Sequence, residues 1–545
     1  MTLFEQILTA RGLTTRAARQ AFLQPDYMAV KHDPFLLPDM KKAVARLKQA
    51  RQRGEKIVIY GDYDIDGLSA TALLLDAFDK FGFKDVDAFI PNRFVEGYGM
   101  TMGAVDKVHD MGADLIVTVD TGSLCHAEIA YATSLGIDTV VTDHHNVTET
   151  PPPSVAAVNP KFPGHTYPFR DLCGAGVAFK LVQALQTELD GLPDGYEKWL
   201  LDLVALGTVC DIVTLADENR ANVYWGLQVL KKQQRPGLKA LMMVAGVEPE
   251  QVNARHLGFG LGPRMNAAGR LETAQHALDM LVARDGLAAL EASEKLEELN
   301  VKRRGIQDAI FEEACVQAEE LANDHVLVVS SDGWNHGVIG IVASKLVEKY
   351  KKPVFIIGER GEEATGSARS FGDFSAADAV RAVDDIIIKG GGHGAAAGVT
   401  LETEKIGDFR RRVNEFYDSL QLTNQERYLL PRADVEIDDF SEIDEELVAN
   451  LAKMEPFGNG NPEPVLKITR ASVLSMRRMG ADGQHVKLAL RDKNGKVLQM
   501  LAFNAPEEFF RESGDEVAAW FQSTVNEWQG VQTVEGRLLH IILLD

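Results

Sequence analysis

The sequence predicts an α/β protein: a doubly wound parallel sheet, then a second, smaller α/β unit and a terminal β unit. Three observations carry that prediction. From Lys56 onward, apolar runs of strand length alternate with helix-length stretches, the pattern of strand–helix–strand crossovers. Between Glu272 and Asn323 a charged, amphipathic run without proline outlasts an ordinary globular helix. After about residue 431 the pattern turns to short alternating strands between glycine-containing turns, the spacing of a small β-barrel or sandwich. At 545 residues the chain exceeds one core, and roughly 150 residues per domain implies three or four.

Taken in order, residues 1–50 read as short polar helices without identifiable chemistry. "KIVIYGD" is an apolar strand, and "LSATALLLDAFDKFG" is a helix closed by Gly82. "VDAFIP", "DLIVTVD" and "IDTVVTD" are further strands, the last preceded by the helix "HAEIAYATSLG". More helices follow to about residue 245, completing a catalytic unit expected over 51–271. The run 272–323 reads as one long helix or a helical pair bridging two domains. A second α/β unit is expected over 324–425, and the β unit over 431–545.

Composition excludes several classes. No apolar run reaches the ~18 residues of a membrane helix, and "MTLFEQILTARGLTTRAARQ" lacks the apolar core of a signal peptide. Cys125, Cys173, Cys210 and Cys315 are scattered, as expected of reduced thiols in a cytoplasmic protein. The net charge of −23 favours solubility and by itself argues against a polyanion. The charge is uneven, however. Lys467, Arg470, Arg477, Arg478, Lys487, Arg491, Lys493 and Lys496 face only Asp482 and Asp492 in their stretch.

Ligand-type side chains gather where strands end. "VIYGDYDIDG" supplies Asp62, Asp64 and Asp66; "VTVDTG" supplies Asp120; "VVTDHHN" supplies Asp143, His144 and His145. In open α/β sheets such ends meet in the crevice where strand order reverses. Asp211, leaving a helix that starts near Lys198, is a fourth source. Singly, such residues are commonly turn caps or core-satisfied histidines. Together they predict two divalent ions about 3.5–4 Å apart, which would clamp the attacking and leaving oxygens of a phosphoryl displacement. Mixed imidazole and carboxylate ligands suit Mn²⁺ better than Mg²⁺, and structural zinc is disfavoured without cysteine ligands.

"GDYDIDG", "VDTG", "TDHHN" and "GTVCDIVTL", with the flanks "PNRFVEGYG", "GFGLGPRMNAAGR", "GSARS" and "GGGHGAAAG", resemble the motifs of the DHH phosphoesterase superfamily. Within it they are similar to the bacterial single-strand-specific 5′ to 3′ DNA exonucleases of recombination and repair, over essentially the whole chain. The resemblance implies metal ligands at Asp64, Asp66, Asp120, His144 and Asp211. It places His145 near the scissile phosphate and Asp62 either as a ligand or just behind the ligands. The loop "DTGSLCH" departs from the family pattern.

In the second unit, glycines around His393 in "KGGGHGAAAG" read as an anion-binding nest with Gly391 and Gly392, or else as a tight packing turn. "GSARS" sets Arg369 between Ser367 and Ser370, suited to phosphate or to a surface salt bridge. The resemblance adds Arg93, Tyr98, Arg264, Asn266 and Arg270 as contacts to nucleotide phosphates and bases. It also reads the β unit as an OB-fold, with Arg477, Arg478 and Lys487 along a single strand; lysines on a protected strand edge are the alternative. Single-stranded DNA, a helicase and a single-strand-binding protein are the expected partners of a monomer, with no membrane. Phosphodiesterases of oligoribonucleotides or cyclic dinucleotides are the nearest alternative, disfavoured by residues 431–545. A non-catalytic replication scaffold is the other, disfavoured by the filled ligand positions.

Overall fold

The computed structural model describes every residue except Tyr98, Gln529 and Asp545, and every side chain of the remainder except Glu426 and Trp528. Strands β1 (Ile57–Gly61), β2 (Val86–Phe89), β3 (Leu115–Val119), β4 (Asp138–Thr142) and β5 (Ala156–Val158) form the first sheet. All its pairings are parallel, in the order β2-β1-β3-β4-β5. Alternate residues of β1 feed opposite layers. Ile57 and Ile59 pack with helices Ile65–Phe81 and Gly174–Gln186. Val58 and Tyr60 pack with Met102–Asp110 and His126–Ser134. Burial on both faces is why these strands read as unbroken apolar runs. Because β2 and β3 flank β1 on opposite sides, the carboxyl ends of β1 and β3 part at a crevice.

The run after Glu272 is a helical pair of unequal members, Gln275–Val282 and the 35-residue Gly286–Glu320. Asp285 separates them and caps the second, accepting from Leu287 N at 3.0 Å and Ala288 N at 2.9 Å. Leu296 and Leu299 belong to the first core, whereas Ile310, Ala314 and Ala318 pack on the second sheet. Between them lie the polar Asn300, Arg303 and Gln307, so the helix joins two cores across a polar gap.

The second sheet comprises β6 (Leu327–Asp332), β7 (Val354–Arg360), β8 (Glu363–Arg369), β9 (Lys389–His393) and β10 (Ala396–Glu402). Only β6 and β7 are parallel; the rest of the order β6-β7-β8-β10-β9 is antiparallel. The terminal unit has β11 (Val435–Ile437), β12 (Leu466–Met479), β13 (His485–Arg491), β14 (Val497–Ala502), β15 (Glu516–Trp528) and β16 (Val531–Leu543). Pairing of β12 with both β13 and β15 closes a five-strand barrel. Register shifts in β12 and β15 supply the bends that closure requires.

The N-terminal segment divides. Helix Met40–Arg53 joins the first core, but Leu3, Ile7 and Leu8 of helix Leu3–Ala10 lie in the barrel core beside Phe440 and Leu451. Arg11 pairs with Asp434 at 2.8 Å. Among the described residues no helix is long and apolar enough to cross a membrane.

Candidate metal centre

Each element end contributes acids to the crevice. Asp62 follows β1, and Asp64 caps the helix Ile65–Phe81, accepting from Gly67 N at 3.0 Å. Asp66, in the first turn of that helix, is buried and accepts from the N-terminal amides of helix Gly174–Gln186, Gly174 N and Ala175 N, the latter at 2.8 Å. Asp120 ends β3 with φ +60°, a left-handed conformation that aspartate tolerates better than most residues. Asp211 caps the helix Leu201–Cys210 at its C-terminus.

The ligand atoms converge. His144 Nε2 lies 3.0 Å from Asp120 Oδ1, 3.5 Å from Asp211 Oδ2 and 3.8 Å from Asp66 Oδ2. Asp62, Asp64 and Asp120 form one group of mutually adjacent ligand atoms; Asp66, His144 and Asp211 form a second; Asp120, His144 and His145 form a third. Asp120 Oδ1 and His144 Nε2 are buried, face each other, and have no hydrogen-bond partner. Buried polar atoms are normally satisfied, so the donor set fits divalent cations. A further acid group, His32 with Asp217 and Glu218, is accounted for by the buried Lys180, which holds Glu218 at 2.7 Å.

Asp143 faces away from the centre. Its Oδ1 accepts from His144 N at 2.7 Å, His145 N at 3.1 Å and His145 Nδ1 at 2.9 Å, while Oδ2 accepts from Ser123 N at 2.9 Å. It orients the two histidines that follow it. Asn159 fastens the same turn, donating to Ser123 Oγ at 2.8 Å and His145 O at 2.9 Å. Burial and the neighbouring His145 push His144 down to about 4, the neutral form a ligand needs. For His145 burial acts downward, but the Asp143 hydrogen bond and charge outweigh it and raise the ring to about 9. Burial and Asp64 raise Asp62 and Asp66 to about 7 each, and burial and Asp66 raise Asp211 to about 8.

Sequence reading missed the two glycines that make room for these acids. A Cβ on Gly174 would stand 2.5 Å from Asp120 Cβ, and one on Gly207 would stand 2.4 Å from Asp66 Oδ1. The stretch "LCGAGVAF", a glycine-rich helix start after an apolar turn, was the available signal for Gly174.

Beyond Tyr63 lies a cluster of guanidinium groups. Arg93 stacks on the Tyr63 ring at 4.4 Å. Arg270 is pushed down to about 10 by burial and by the charges of Arg93, Arg303 and Arg369. Arg270 donates to Gly337 O at 2.8 Å, and Arg369 to Ser367 Oγ at 3.1 Å and Ala368 O at 2.7 Å. Among the described residues no carboxylate lies within ion-pair distance of Arg93, Arg270 or Arg369. Arg93 is thus paired with the Tyr63 ring and not with an acid, and the alternative of a surface salt bridge for Arg369 is not formed among the described residues. Tyr98 lies outside the described residues, and Asn266 lines a cavity beside Asp211.

Other expected contacts have structural occupations. Arg264 is held by Glu297 on the long helix and donates to Gly260 O at 2.7 Å. Ser370 Oγ accepts from Ala376 N at 3.0 Å and donates to Gly394 O, fastening the β9–β10 turn. Gly391, Gly392 and His393 lie in the exposed edge strand β9, paired antiparallel with β10. Gly390 and Gly392 are closely packed, a Cβ standing 2.4 Å from Val380 Cγ1 at the first and 2.3 Å from Ala396 O at the second, whereas Gly391 faces open space. In the barrel, Arg478 pairs with Glu507 at 3.0 Å and Lys487 with Glu535 at 2.7 Å. Lys467, Arg470 and Lys493 meet Glu436, Glu516 and Asp438. Acids from outside the run neutralise most of the basic stretch, while Arg477 remains exposed with no ion pair among the described residues.

Sequence models of three families match the chain: the DHH family, N-terminal domain, over 56–208; the DHHA1 domain over 323–419; and the RecJ OB domain over 433–540. The single-stranded-DNA-specific exonuclease RecJ of Salmonella typhimurium is 35% identical over 536 residues, 93% of this chain and 90% of that protein. The chain belongs to the RecJ family. The Bacillus subtilis RecJ is 38% identical over 533 residues, which cover 96% of this chain but 66% of that protein's own length. The crystal structure of Thermus thermophilus RecJ in complex with Mn²⁺ superposes with a TM-score of 0.83 at 30% identity, covering 99% of this chain and 76% of that one. The RecJ fold thus includes the closed barrel, and the convergent acids and imidazoles fit a divalent ion such as the Mn²⁺ with which that RecJ was crystallised.

Proposed function

We propose that this RecJ-family chain is a single-stranded-DNA-specific exonuclease that hydrolyses phosphodiester bonds from the 5′ end, in DNA recombination and repair. The observation that carries the reading is the orphaned pair Asp120 Oδ1 and His144 Nε2, 3.0 Å apart amid four further carboxylates. Asp66, His144 and Asp211 would hold one divalent ion and Asp62, Asp64 and Asp120 another, with Asp120 adjoining both; the mixed imidazole and carboxylate set suits Mn²⁺ better than Mg²⁺. When bound, the ions supply the positive charge and the acidified water that phosphodiester displacement needs.

The chain's own residues do the rest. His145, cationic at neutral pH and held at Nδ1 by Asp143, places a positive charge beside the ligand groups, where it would attract the scissile phosphate. Arg93, Arg270 and Arg369 with Ser367 offer guanidinium and hydroxyl donors for a terminal 5′-phosphate. The polar gap under the long helix carries the strand between the two sheets. Arg477 and the barrel hold DNA further along. A helicase that exposes single strands and a single-strand-binding protein that coats them are the partners this chemistry calls for, and the active form is a monomer.

The test uses end-labelled single-stranded DNA, RNA and duplex with Mn²⁺ or Mg²⁺. Single-stranded DNA is expected to shorten from its 5′ end. Asp120→Ala and His144→Ala should abolish cutting while retaining the fold, and normal turnover in either variant at saturating Mn²⁺ would falsify the assignment.

A further inference from the structure

Directly after Asp211 the chain makes a costly turn. Ile212 has φ +60°, a left-handed conformation that is an outlier for a β-branched residue, and strain of this kind collects at ligand clamps. Asn459 pins the turn from the C-terminal segment, its Nδ2 donating to Ile212 O at 2.8 Å. The result is an isoleucine side chain that is 68% exposed beside the metal centre. Opposite, the π-helical turn His256–Leu261 presents Phe259 at 82% exposure, and π-helical turns are frequent at functional sites.

Both residues line one cavity of about 610 Å³ that also takes in Asn266, Arg270 and Arg303. Arg303 donates only to neutral partners, Gln307 Oε1 at 2.9 Å and Asn300 Oδ1 at 2.6 Å. Among the described residues neither guanidinium has a carboxylate within ion-pair distance. An exposed aromatic face, an aliphatic wall and two uncompensated cations, in a cavity lined by the residues on either side of Asp211, Cys210 and Ile212, together match a nucleotide: base against Phe259 and Ile212, phosphate towards the arginines.

We propose that Phe259 and Ile212 form a base-stacking site beside Asp211 that grips the nucleobase of one nucleotide next to the scissile phosphate of single-stranded DNA. The site rests on the exonuclease reading above and adds a base contact to it. It favours single strands because a paired, stacked base cannot present its face to Phe259.

The test is cleavage of a series of single strands, each with one abasic nucleotide at a successive position. Wild type is expected to slow when the abasic nucleotide reaches one particular register. Phe259→Ala should lose on the order of 5- to 150-fold in kcat/KM on intact DNA, the range for one stacked base. It should show no further slowing at that register, and Phe259→Trp should restore both rate and register dependence. Ile212→Asn, which relieves the left-handed strain, should raise or preserve Tm while lowering kcat/KM; loss of both would mark a merely structural residue and overturn its assignment. Wild-type kinetics in Phe259→Ala, or slower cutting that keeps the full abasic penalty, would overturn the stacking site while leaving the exonuclease reading intact. Failure of wild type to cut intact single strands with Mn²⁺ would overturn both.

Discussion

Asp62, Asp66, Asp120 and Asp211 are each raised above the ordinary carboxylate range by burial and then by neighbouring acids. In the metal-free protein the folded state therefore binds protons that the unfolded chain has lost, and stability falls as pH rises through about 7 to 8. His145, raised to about 9, acts in the same direction, its contribution being lost above that pH. His144 acts oppositely, but only below its ordinary value of 6.5. The expected outcome is a metal-free Tm higher at pH 6.5 than at pH 8.5, with the gap closed or reversed at saturating Mg²⁺, because cations compete with protons for these carboxylates. Thermal melts with chelator or Mg²⁺ at both pH values measure this; a metal-free Tm that climbs across the window would contradict it. At this scale the convergence of the acids and His144 was legible in the sequence, because parallel strands must deliver their carboxyl ends to one edge. The partners of Arg264 and Ser370 were not, since Glu297 and Gly394 come near only after folding.

Two helices place the acids they do not carry. The start of Gly174–Gln186 supplies backbone donors that keep Asp66 aimed at the crevice. Helix Leu201–Cys210 passes so close that only glycine fits at 207: a Cβ there would also meet Ala175 Cβ at 2.8 Å. Gly207→Ala should therefore push the Asp66 carboxylate or the neighbouring helix aside. Metal affinity should fall about 10- to 100-fold, the usual cost of disturbing groups behind a ligand. Calorimetric titration with Mn²⁺ measures it, and unchanged affinity would show that the helices absorb the methyl group. Periodicity revealed the long charged run as helical but left the break at Asp285 open. The glycine-rich "KGGGHG" left a nest and a packed turn both open, because glycine permits either, and only folding sets it as an edge strand against β10 and Val380.

Across the whole molecule, charge balance is set by tertiary pairing. Counted along the chain, the run from Lys467 to Lys496 looks like a basic groove; in the folded unit most of its cations meet acids from outside the run. Arg477→Ala should therefore flatten the salt dependence of single-strand binding by about 0.7, the slope for one phosphate contact. Lys487→Ala should leave the slope unchanged and lower Tm, because it strands Glu535, which is 6% exposed. Binding across a salt titration and thermal melts of both variants separate the two roles. A wild-type slope in Arg477→Ala would remove the barrel edge from the DNA path, and a flattened slope in Lys487→Ala would return that lysine to it.

The sequence by itself determined the succession of units and the identity of the convergent acids, because hydrophobic period and strand-end position are local properties of the chain. Only the tertiary structure decided which cations face solvent. It alone brought Phe259 and Ile212 to one cavity, and it alone joined the first helix to the barrel through Arg11 and Asp434. Those outcomes depend on contacts between residues tens to hundreds of positions apart. Such contacts leave no periodic trace, since each partner is chosen by the shape and charge of a surface that exists only once the chain has folded.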